Sequence, residues 1–338
     1  MTPVEALERI VHCLDRAFDS GHRAKAFSRA LDVVRTEGDL AIAQRAAAGT
    51  LVELPGIGDS TAKVISAAVA GEMPDYLTKL EAETQLRPAS AQSVVILEAL
   101  HGDCHTHSTW SDGGATITAM ARTAVDLGHE YLVVTDHSPR LTIAHGLNRE
   151  RLLKQLDEVA VIEASLDGAL RILTGMEVDI LEDGSLDLDD DLLARLDIVI
   201  ASVHSKLSMP SELMTQRMVL AVANPHVDIL GHCTGRHIPK RGPSAFDPDY
   251  VFAACAAFGT AVEINCRPER LDPPPELLEI ALGHGCLFAI DSDAHATGQL
   301  EWLPHGTDIA AAGGVPIDRI VNTRTVAELL AWAADKAA

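Results

Sequence analysis

The chain has 338 residues, of which 47% are hydrophobic, and it carries a formal net charge of −22. This length and composition predict a large buried core, in one large domain or in two unequal domains. No apolar run is long enough for a membrane span, and the first residues lack the basic and apolar regions of a signal peptide. The acidic balance argues against general electrostatic attraction to DNA. The six scattered cysteines favour a reducing, cytoplasmic environment over a disulfide framework.

Residues 1–87 are predicted to form a small helical domain. Two stretches before residue 37 place apolar residues at helical spacing. The sequence LPGIG at 54–58 then predicts a tight turn, and the polar residues after it can cap a second helix. The following Pro- and Ser-containing segment lacks periodicity, so we interpret 88–99 as a linker and 100–338 as a second domain.

In the second domain, apolar runs rich in β-forming residues alternate with helical patterns. The runs cover 101–105, 130–136, 171–178, 196–204, 227–232, 260–266 and 286–295. Alternation of strand and helix predicts a parallel sheet. Seven repeats within roughly 200 residues favour a closed or nearly closed barrel over an open sheet. The predicted fold class is therefore α/β, a seven-stranded (β/α) barrel with a small all-helical N-terminal domain.

Residue types that bind metals end most of these runs, and the carboxyl ends of barrel strands form one face. His105 and His107 lie two residues apart, so their imidazoles point to the same side of a strand. A single pair of this kind is weak evidence for a metal site, because two histidines at this spacing also occur by chance. The candidate ligands are His105, His107, Asp112, His137, Glu177, His204, His232, Asp293 and His295. This number suits about three ions, and the mixed ligand types favour Mn²⁺, Zn²⁺ or Fe²⁺ over Ca²⁺.

Seven motifs in this region carry a family resemblance. They are GDCHTHSTWSDG, VVTDHS, GMEVDIL, DIVIASVHS, NPHVDILGHCTGR, AVEINCRPERLD and IDSDAHA, in this order. They resemble the polymerase and histidinol phosphatase (PHP) domain superfamily, in the form attached to bacterial family X DNA polymerases. The resemblance implies a distorted barrel of seven β/α units with three metals at the strand ends. It implies that the ions are held by His105, His107, Glu177 and Asp293; by Glu177, His204 and His232; and by Asp112, His137 and His295.

The N-terminal pieces RAKAFSRAL and LVELPGIGDSTAKVI resemble the helix-hairpin-helix region of the same polymerases. No polymerase palm lies between the two regions, so we expect no DNA synthesis. Backbone N–H groups of Gly56, Ile57 and Gly58 could bind a DNA phosphate at the start of a helix. Against this, residues 1–87 carry ten Lys and Arg but thirteen Asp and Glu, whereas strong DNA-binding modules are usually basic.

Further side chains near the strand ends are candidates for contact with a substrate. Arg236 and Arg267 could bind a phosphate, or they could pair with surface acids. Asp136 and His237 are candidates for general acid chemistry or for orienting a ligand. Asp103 is expected to orient imidazoles of the first strand, as carboxylates beside metal sites commonly do.

Clustered divalent metals suit the hydrolysis of phosphoesters. One possible substrate is DNA, through 3′-to-5′ exonuclease activity or the processing of 3′ ends and abasic sites. The other is a small phosphomonoester such as histidinol phosphate or a nucleotide, with the N-terminal region as a packing or partner module. A non-enzymatic DNA-binding or scaffold protein is a third hypothesis, but the full ligand set argues against it. We favour DNA; the sequence predicts no membrane contact and leaves the oligomeric state open.

Overall fold

The computed structural model describes residues 1–19 and 21–336. The chain divides into two compact units. Unit 1 comprises Met1–Leu86 together with Thr297–Gln299, and unit 2 comprises Arg87–Ala296 and the chain from Leu300 onwards. Among the described residues, no helix is both long enough and apolar enough to cross a membrane.

Unit 1 is helical, which confirms the predicted all-helical N-terminal region. Its α-helices are α1 (Pro3–Arg16), α2 (His22–Glu37), α3 (Asp39–Ala48), α4 (Asp59–Val69) and α5 (Asp75–Thr84). α1 begins with a capping box, in which Thr2 and Glu5 each accept a hydrogen bond from the other's backbone N–H. Apolar side chains at helical spacing, such as Ile10, Phe27 and Ile65, form the buried core.

The turn before α4 packs against α2. Gly56 has a φ of 103°, a conformation that favours glycine. A Cβ atom there would lie 3.0 Å from Cγ of Arg29 and 3.1 Å from Cγ2 of Val33. Gly58 has a φ of −104° and open space around it, while the Ile57 side chain is buried in the core of unit 1. The conformational need for glycine therefore falls on Gly56, not on Gly58.

Unit 2 contains a parallel sheet whose strands lie side by side in chain order. The strands are β1 (Gly102–Thr106), β2 (Tyr131–Val134), β3 (Arg171–Asp179), β4 (Ile198–Ser202), β5 (Ile229–Leu230), β6 (Ala261–Asn265) and β7 (Phe288–Asp291). Thr106 in β1 pairs in parallel with Ala294, just after β7. The first and last strands are thus neighbours, which confirms the predicted seven-stranded barrel.

Helices surround the strands. They are α6 (Ala91–Ala99), α7 (Ile117–Asp126), α8 (Arg149–Ser165), α9 (Asp190–Leu193), α10 (Ser211–Val222), α11 (Pro248–Phe258), α12 (Pro275–Gly283), α13 (Leu303–Ala312) and α14 (Val326–Lys336). Every residue of β1, β4 and β6 is buried, as expected for parallel strands covered on both faces. The hydrophobic core of unit 2 therefore has two parts, one inside the barrel and one between the sheet and the surrounding helices.

The interpretation of 88–99 as a linker requires a correction, because most of this segment is α6. Ser90 caps the helix by accepting a hydrogen bond from the N–H of Ser93. The buried Ser93 hydroxyl shares a hydrogen bond with Thr307 of α13 at 2.8 Å. The sequence here lacks an amphipathic pattern, and only a tertiary contact shows which face is buried.

Candidate metal centre

The candidate ligands of unit 2 lie at the carboxyl ends of the strands. His105 lies within β1 and Glu177 within β3, whereas His204, His232 and Asp293 each follow a strand by two residues. These five side chains are almost fully withdrawn from solvent, apart from a small exposed part of His204. Because the strands run in parallel, these ends share one rim of the barrel.

Glu177 lies at the centre of the rim, and its oxygen Oε2 faces three imidazoles. Oε2 is 3.3 Å from Nε2 of His105, 3.5 Å from Nε2 of His107 and 3.0 Å from Nδ1 of His137. His105 lies in β1, His107 directly follows β1, and His137 lies in the segment after β2. A single carboxylate oxygen therefore joins side chains from two neighbouring strands.

The other oxygen of Glu177, Oε1, faces the opposite side of the rim. It is 3.2 Å from Nε2 of His204 and 2.8 Å from Nε2 of His232. The two oxygens of one carboxylate thus contact two separate sets of imidazoles. This is the arrangement that a bridging ligand between two cations requires.

Three groups of ligand atoms could each hold an ion, with the atoms of each group lying within 4.8 Å of one another. We call them the Asp112 group (His107, Asp112, His137, His295), the Asp293 group (His105, His107, Asp293) and the His204 group (His137, Glu177, His204). In the first, Oδ1 of Asp112 lies 3.5 Å from His137 and 3.4 Å from His295. The groups share members, so they form one cluster.

The hydrogen bonding of the cluster supports metal binding. Nε2 of His105, both ring nitrogens of His107, Nδ1 of His137 and Nε2 of His204 are buried without a hydrogen bond to any described residue. Buried polar atoms are normally satisfied, so several unsatisfied imidazole nitrogens converging on carboxylates call for a cation between them. The imidazole and carboxylate donors fit divalent ions of the Mn²⁺ or Zn²⁺ type.

The electrostatics of His107 and Glu177 favour the forms that metals bind. Burial, with the imidazoles of His295 and His137 nearby, holds the pKa of His107 well below its usual value, so its ring is neutral near neutral pH. Burial alone would raise the pKa of Glu177, but the imidazoles of His204, His105 and His137 outweigh it and hold that pKa well below its usual value. Neutral imidazoles and ionised carboxylates are the metal-binding states. For His105 and His204, burial is outweighed by nearby carboxylates, which raise the pKa of each imidazole, so without a cation these two rings favour a proton in its place.

Two carboxylates orient imidazoles of the candidate ligands. Oε1 of Glu263 lies 2.5 Å from Nδ1 of His105, and Oδ1 of Asp179 lies 2.6 Å from Nδ1 of His204. In each case the other ring nitrogen is left to face Glu177. The expected orienting role of Asp103 is not supported, because Asp103 accepts hydrogen bonds from Ser292 and from the His105 backbone instead.

A cavity of about 230 Å³ opens at the cluster. Its lining includes members of all three groups together with Leu141, His237, Arg267, Glu269 and Arg270. Arg267 donates to the carboxylate of Glu269 at 2.8 Å and to the backbone oxygen of Asp293 at 3.0 Å. Two predicted substrate residues, His237 and Arg267, therefore lie beside the cluster.

The other two predicted substrate residues have different surroundings. Asp136 is buried and accepts hydrogen bonds from Ser108 at 2.6 Å, from Gln155 at 2.6 Å and from Ser111. Arg236 donates to the backbone oxygens of Arg270, at 2.7 Å, and of Leu271. Both side chains hold neighbouring segments in place, and their predicted action on a substrate stays a prediction.

The predicted phosphate-binding turn lies in unit 1, and two of its three N–H groups are already used. The N–H of Ile57 donates to the carbonyl of Leu54 at 3.0 Å, and that of Gly58 donates to the hydroxyl of Thr61 at 2.9 Å. The three residues share one turn as expected, but local hydrogen bonds compete with a phosphate for these donors.

Sequence reasoning missed Asp179, Glu269 and Arg270. Asp179 lies two residues after Glu177 in β3, so both side chains leave the same face of the strand, and this spacing could have identified it. Arg270 lies in the turn after β6, where its Nε is 3.3 Å from Oδ2 of Asp293. No spacing rule marks a residue in such a turn.

Comparisons with known proteins agree with this geometry. A family model described as "PHP domain" matches residues 103–232. The chain is 39% identical over 239 residues to the DNA polymerase/3′-5′ exonuclease PolX of Bacillus subtilis, a match that covers 71% of this chain but 42% of that protein. It is 34% identical over 233 residues to a probable phosphatase of a Thermoanaerobacter species, covering 65% of this chain and 89% of that protein.

Among solved structures, a histidinol phosphate phosphatase from Lactococcus lactis, in complex with Zn, L-histidinol and phosphate, has a TM-score of 0.44 and 18% identity. That match covers 63% of this chain and 94% of the other.

The family match and the extended similarity to the probable phosphatase define the class of this protein. The chain belongs to the PHP domain family. It is a metal-dependent phosphoesterase.

Proposed function

We propose that this phosphoesterase holds three divalent ions, Mn²⁺, Zn²⁺ or Fe²⁺, and hydrolyses phosphoester bonds at DNA 3′ ends. The observation that carries the metal part is Glu177, whose two oxygens lie 2.8–3.5 Å from five imidazoles. Bound divalent ions supply a water nucleophile near neutral pH and offset the negative charge of phosphate oxygens.

We assign each ion to ligands on one side of the cluster. The proposed sets are His105, His107, Glu177 and Asp293; Glu177, His204 and His232; and Asp112, His137 and His295. The distances within the three groups support this assignment. His232 joins the second set because its Nε2 lies 2.8 Å from Glu177.

For substrate binding we propose Arg267, Arg270 and His237, which line the cavity. Arg267 and Arg270 carry the positive charge that a phosphate requires, and both lie near the carboxylate of Asp293. His237 also lines the cavity, and we propose that its imidazole exchanges a proton with the leaving oxygen.

DNA is favoured by the similarity to the B. subtilis exonuclease, which has the higher identity of the two relatives and extends over more of this chain. A 3′ end can enter a narrow cavity as a single strand, which the interior of a duplex cannot do as readily. We propose that unit 1 contributes by binding the DNA backbone at the turn of Gly56, Ile57 and Gly58.

The second candidate is a small phosphomonoester. It is favoured by the match to the probable phosphatase, of which this chain covers 89%. In that case unit 1 serves as a packing or partner module.

One set of assays with purified full-length protein separates these functions. Elemental analysis should find two to three transition-metal ions per chain, and Mn²⁺ should stimulate release of nucleotides or phosphate from 3′-labelled DNA. A panel of phosphomonoesters, including histidinol phosphate and nucleotides, is tested in parallel. Metal-free but fully active protein would remove the metal proposal. Rapid hydrolysis of a small ester with every DNA 3′ end intact would replace the DNA proposal with the phosphatase.

A further inference from the structure

Arg151 of α8 binds the backbone of two loops at the rim. Its guanidinium donates hydrogen bonds to the carbonyl oxygens of Trp110 and His145, and to that of Gly146 at 3.1 Å. The same guanidinium lies 5.8 Å from the centre of the Trp110 ring. One side chain therefore joins the loop after β1 to the loop after β2.

These two loops carry members of the Asp112 group. In the first loop, Trp110 precedes Asp112 by two residues. The second loop begins at His137 and ends near Gly146, where the N–H of Leu147 donates a hydrogen bond to the carbonyl oxygen of His137 at 2.7 Å. Asp112 lies in a turn, outside the strands, and 36% of its side chain is exposed. Its position therefore depends on contacts such as those of Arg151.

Arg217 of α10 performs the same role at another part of the rim. This arginine is almost fully buried. It donates to the carbonyl oxygen of Ile180 at 3.1 Å and to that of Ser205 at 2.9 Å. These residues directly follow Asp179 and His204, whose side chains contact each other at 2.6 Å.

We propose that Arg151 and Arg217 are positioning residues, each of which sets the metal affinity of a different group. Arg151 serves the ion assigned to Asp112, His137 and His295, and Arg217 serves the ion assigned to Glu177, His204 and His232. The inference rests on the three-ion assignment proposed above. A guanidinium presents several N–H donors in a fixed plane, so it can hold two carbonyls at once, which a lysine ammonium on a flexible stem cannot do with the same geometry. Partners that orient ligands typically change metal affinity by about 10- to 100-fold.

The test uses full-length Arg151→Lys and Arg217→Lys proteins. Arg171→Lys is the matched control, because Arg171 pairs with Glu163 on the surface and contacts neither loop. Metal-free proteins are titrated with Mn²⁺, and bound ions are counted by electron paramagnetic resonance and calorimetry. Each rim variant should weaken one ion by about 10- to 100-fold, while the control should match the wild type.

Double variants assign the weakened ion to its group. In an Asp112→Asn background, Arg151→Lys should weaken affinity less than it does alone, because only the loop of His137 is then affected, whereas Arg217→Lys should weaken a second ion by its full amount. In a His204→Asn background the two results should exchange. Equal weakening of every ion by either arginine variant, or unchanged binding, overturns the proposal and assigns these arginines to general stability.

Circular dichroism checks that each variant folds, and Arg217→Met is a second variant at the buried position. If neither Arg217 variant folds, the Arg217 part of the inference is rejected. A wild-type protein that binds fewer than two ions would instead overturn the proposed function. The two failures are therefore distinguishable.

Discussion

The core of unit 1 is apolar, whereas unit 2 buries a cluster of imidazoles and carboxylates at one rim of its barrel. An apolar core stabilises its fold directly, because burial removes apolar surface from water. The rim of unit 2 does the opposite when it is metal-free, since removing ionised groups from water costs several kcal/mol per group. The barrel tolerates this because its strands and surrounding helices form a large core elsewhere. The rim is thus specialised for chemistry, and the rest of the barrel supplies its stability.

The largest effect expected from this comparison follows Glu177→Ala in unit 2. Both oxygens of Glu177 contact imidazoles, so its loss should lower metal content by more than one ion. Hydrolysis should fall by more than about 100-fold, the upper end of the loss for residues that only orient ligands. Elemental analysis and a phosphoesterase assay measure the two effects.

The control for that experiment is Glu182→Ala, a change in the same residue type just after β3. Glu182 is exposed and lies 3.7 Å from Lys206, so its loss should leave metal content and activity unchanged. Equal losses of metal and activity in the two variants would show that the effect does not depend on the contacts that Glu177 makes with the imidazoles.

A smaller effect is expected in unit 1 from Gly56→Val. The positive φ and the contacts with Arg29 and Val33 should reduce the stability of unit 1 by about 1–3 kcal/mol. DNA affinity should weaken with it, while the metal content of unit 2 stays unchanged. Chemical unfolding, fluorescence anisotropy with labelled DNA and elemental analysis measure the three quantities.

The matched variant is Gly58→Val, where the backbone is extended and the space is open. Its stability should fall by no more than about 1 kcal/mol, because Gly58 is the N-cap of α4 and valine is a poorer cap than glycine. It therefore reports on DNA contact at the turn without unfolding. An equal loss of stability in both glycine variants would contradict the assignment of the special conformation to Gly56.

The smallest effect concerns Asp15 of unit 1. Burial raises the pKa of Asp15 to about 6, although His12 opposes the shift. The folded state therefore binds a proton more tightly than the unfolded state, whose pKa is near the ordinary 3.8. Stability contributed by this group is present at low pH and is lost as the pH rises from about 4 to about 6.

Asp15→Asn should remove this pH dependence and increase the stability of unit 1 at neutral pH by on the order of 1–3 kcal/mol. Unfolding of both proteins is compared at pH 4 and pH 7. The exposed Asp39, at the start of α3, provides the control Asp39→Asn. A parallel pH dependence in the wild type and Asp15→Asn would reject this explanation.

The two units also differ in how much their sequences reveal. In unit 2, the alternation of strands and helices predicts the barrel, and the strand ends predict the cluster, because only a few residue types bind metals. The hydrogen bonds of Asp136 and Arg236 were not predictable in this way. Both side chains form hydrogen bonds with residues that are distant in the sequence, such as Gln155 and Arg270.

In unit 1 the helical pattern predicts the core, but it says little about a partner. Apolar residues of similar size can replace one another in a core, so their identities carry no functional signal. The turn was predicted correctly as a turn. The sequence could not show which of its glycines is required, because the close packing of α2 against Gly56 is a tertiary contact. The helix α6 was missed for the same reason.

The closure of the barrel between β1 and β7 has a consequence for the order of folding. His107 lies 3.4 Å from Asp293, so the Asp293 group unites residues that are far apart in the chain. Forming such long-range contacts requires closing a long loop, which slows folding. During synthesis, the cluster cannot be completed until residue 295 has left the ribosome. A cation captured by the first histidines of the nascent chain would meet a partial set of ligands, and the full set forms only as the last strand joins the first.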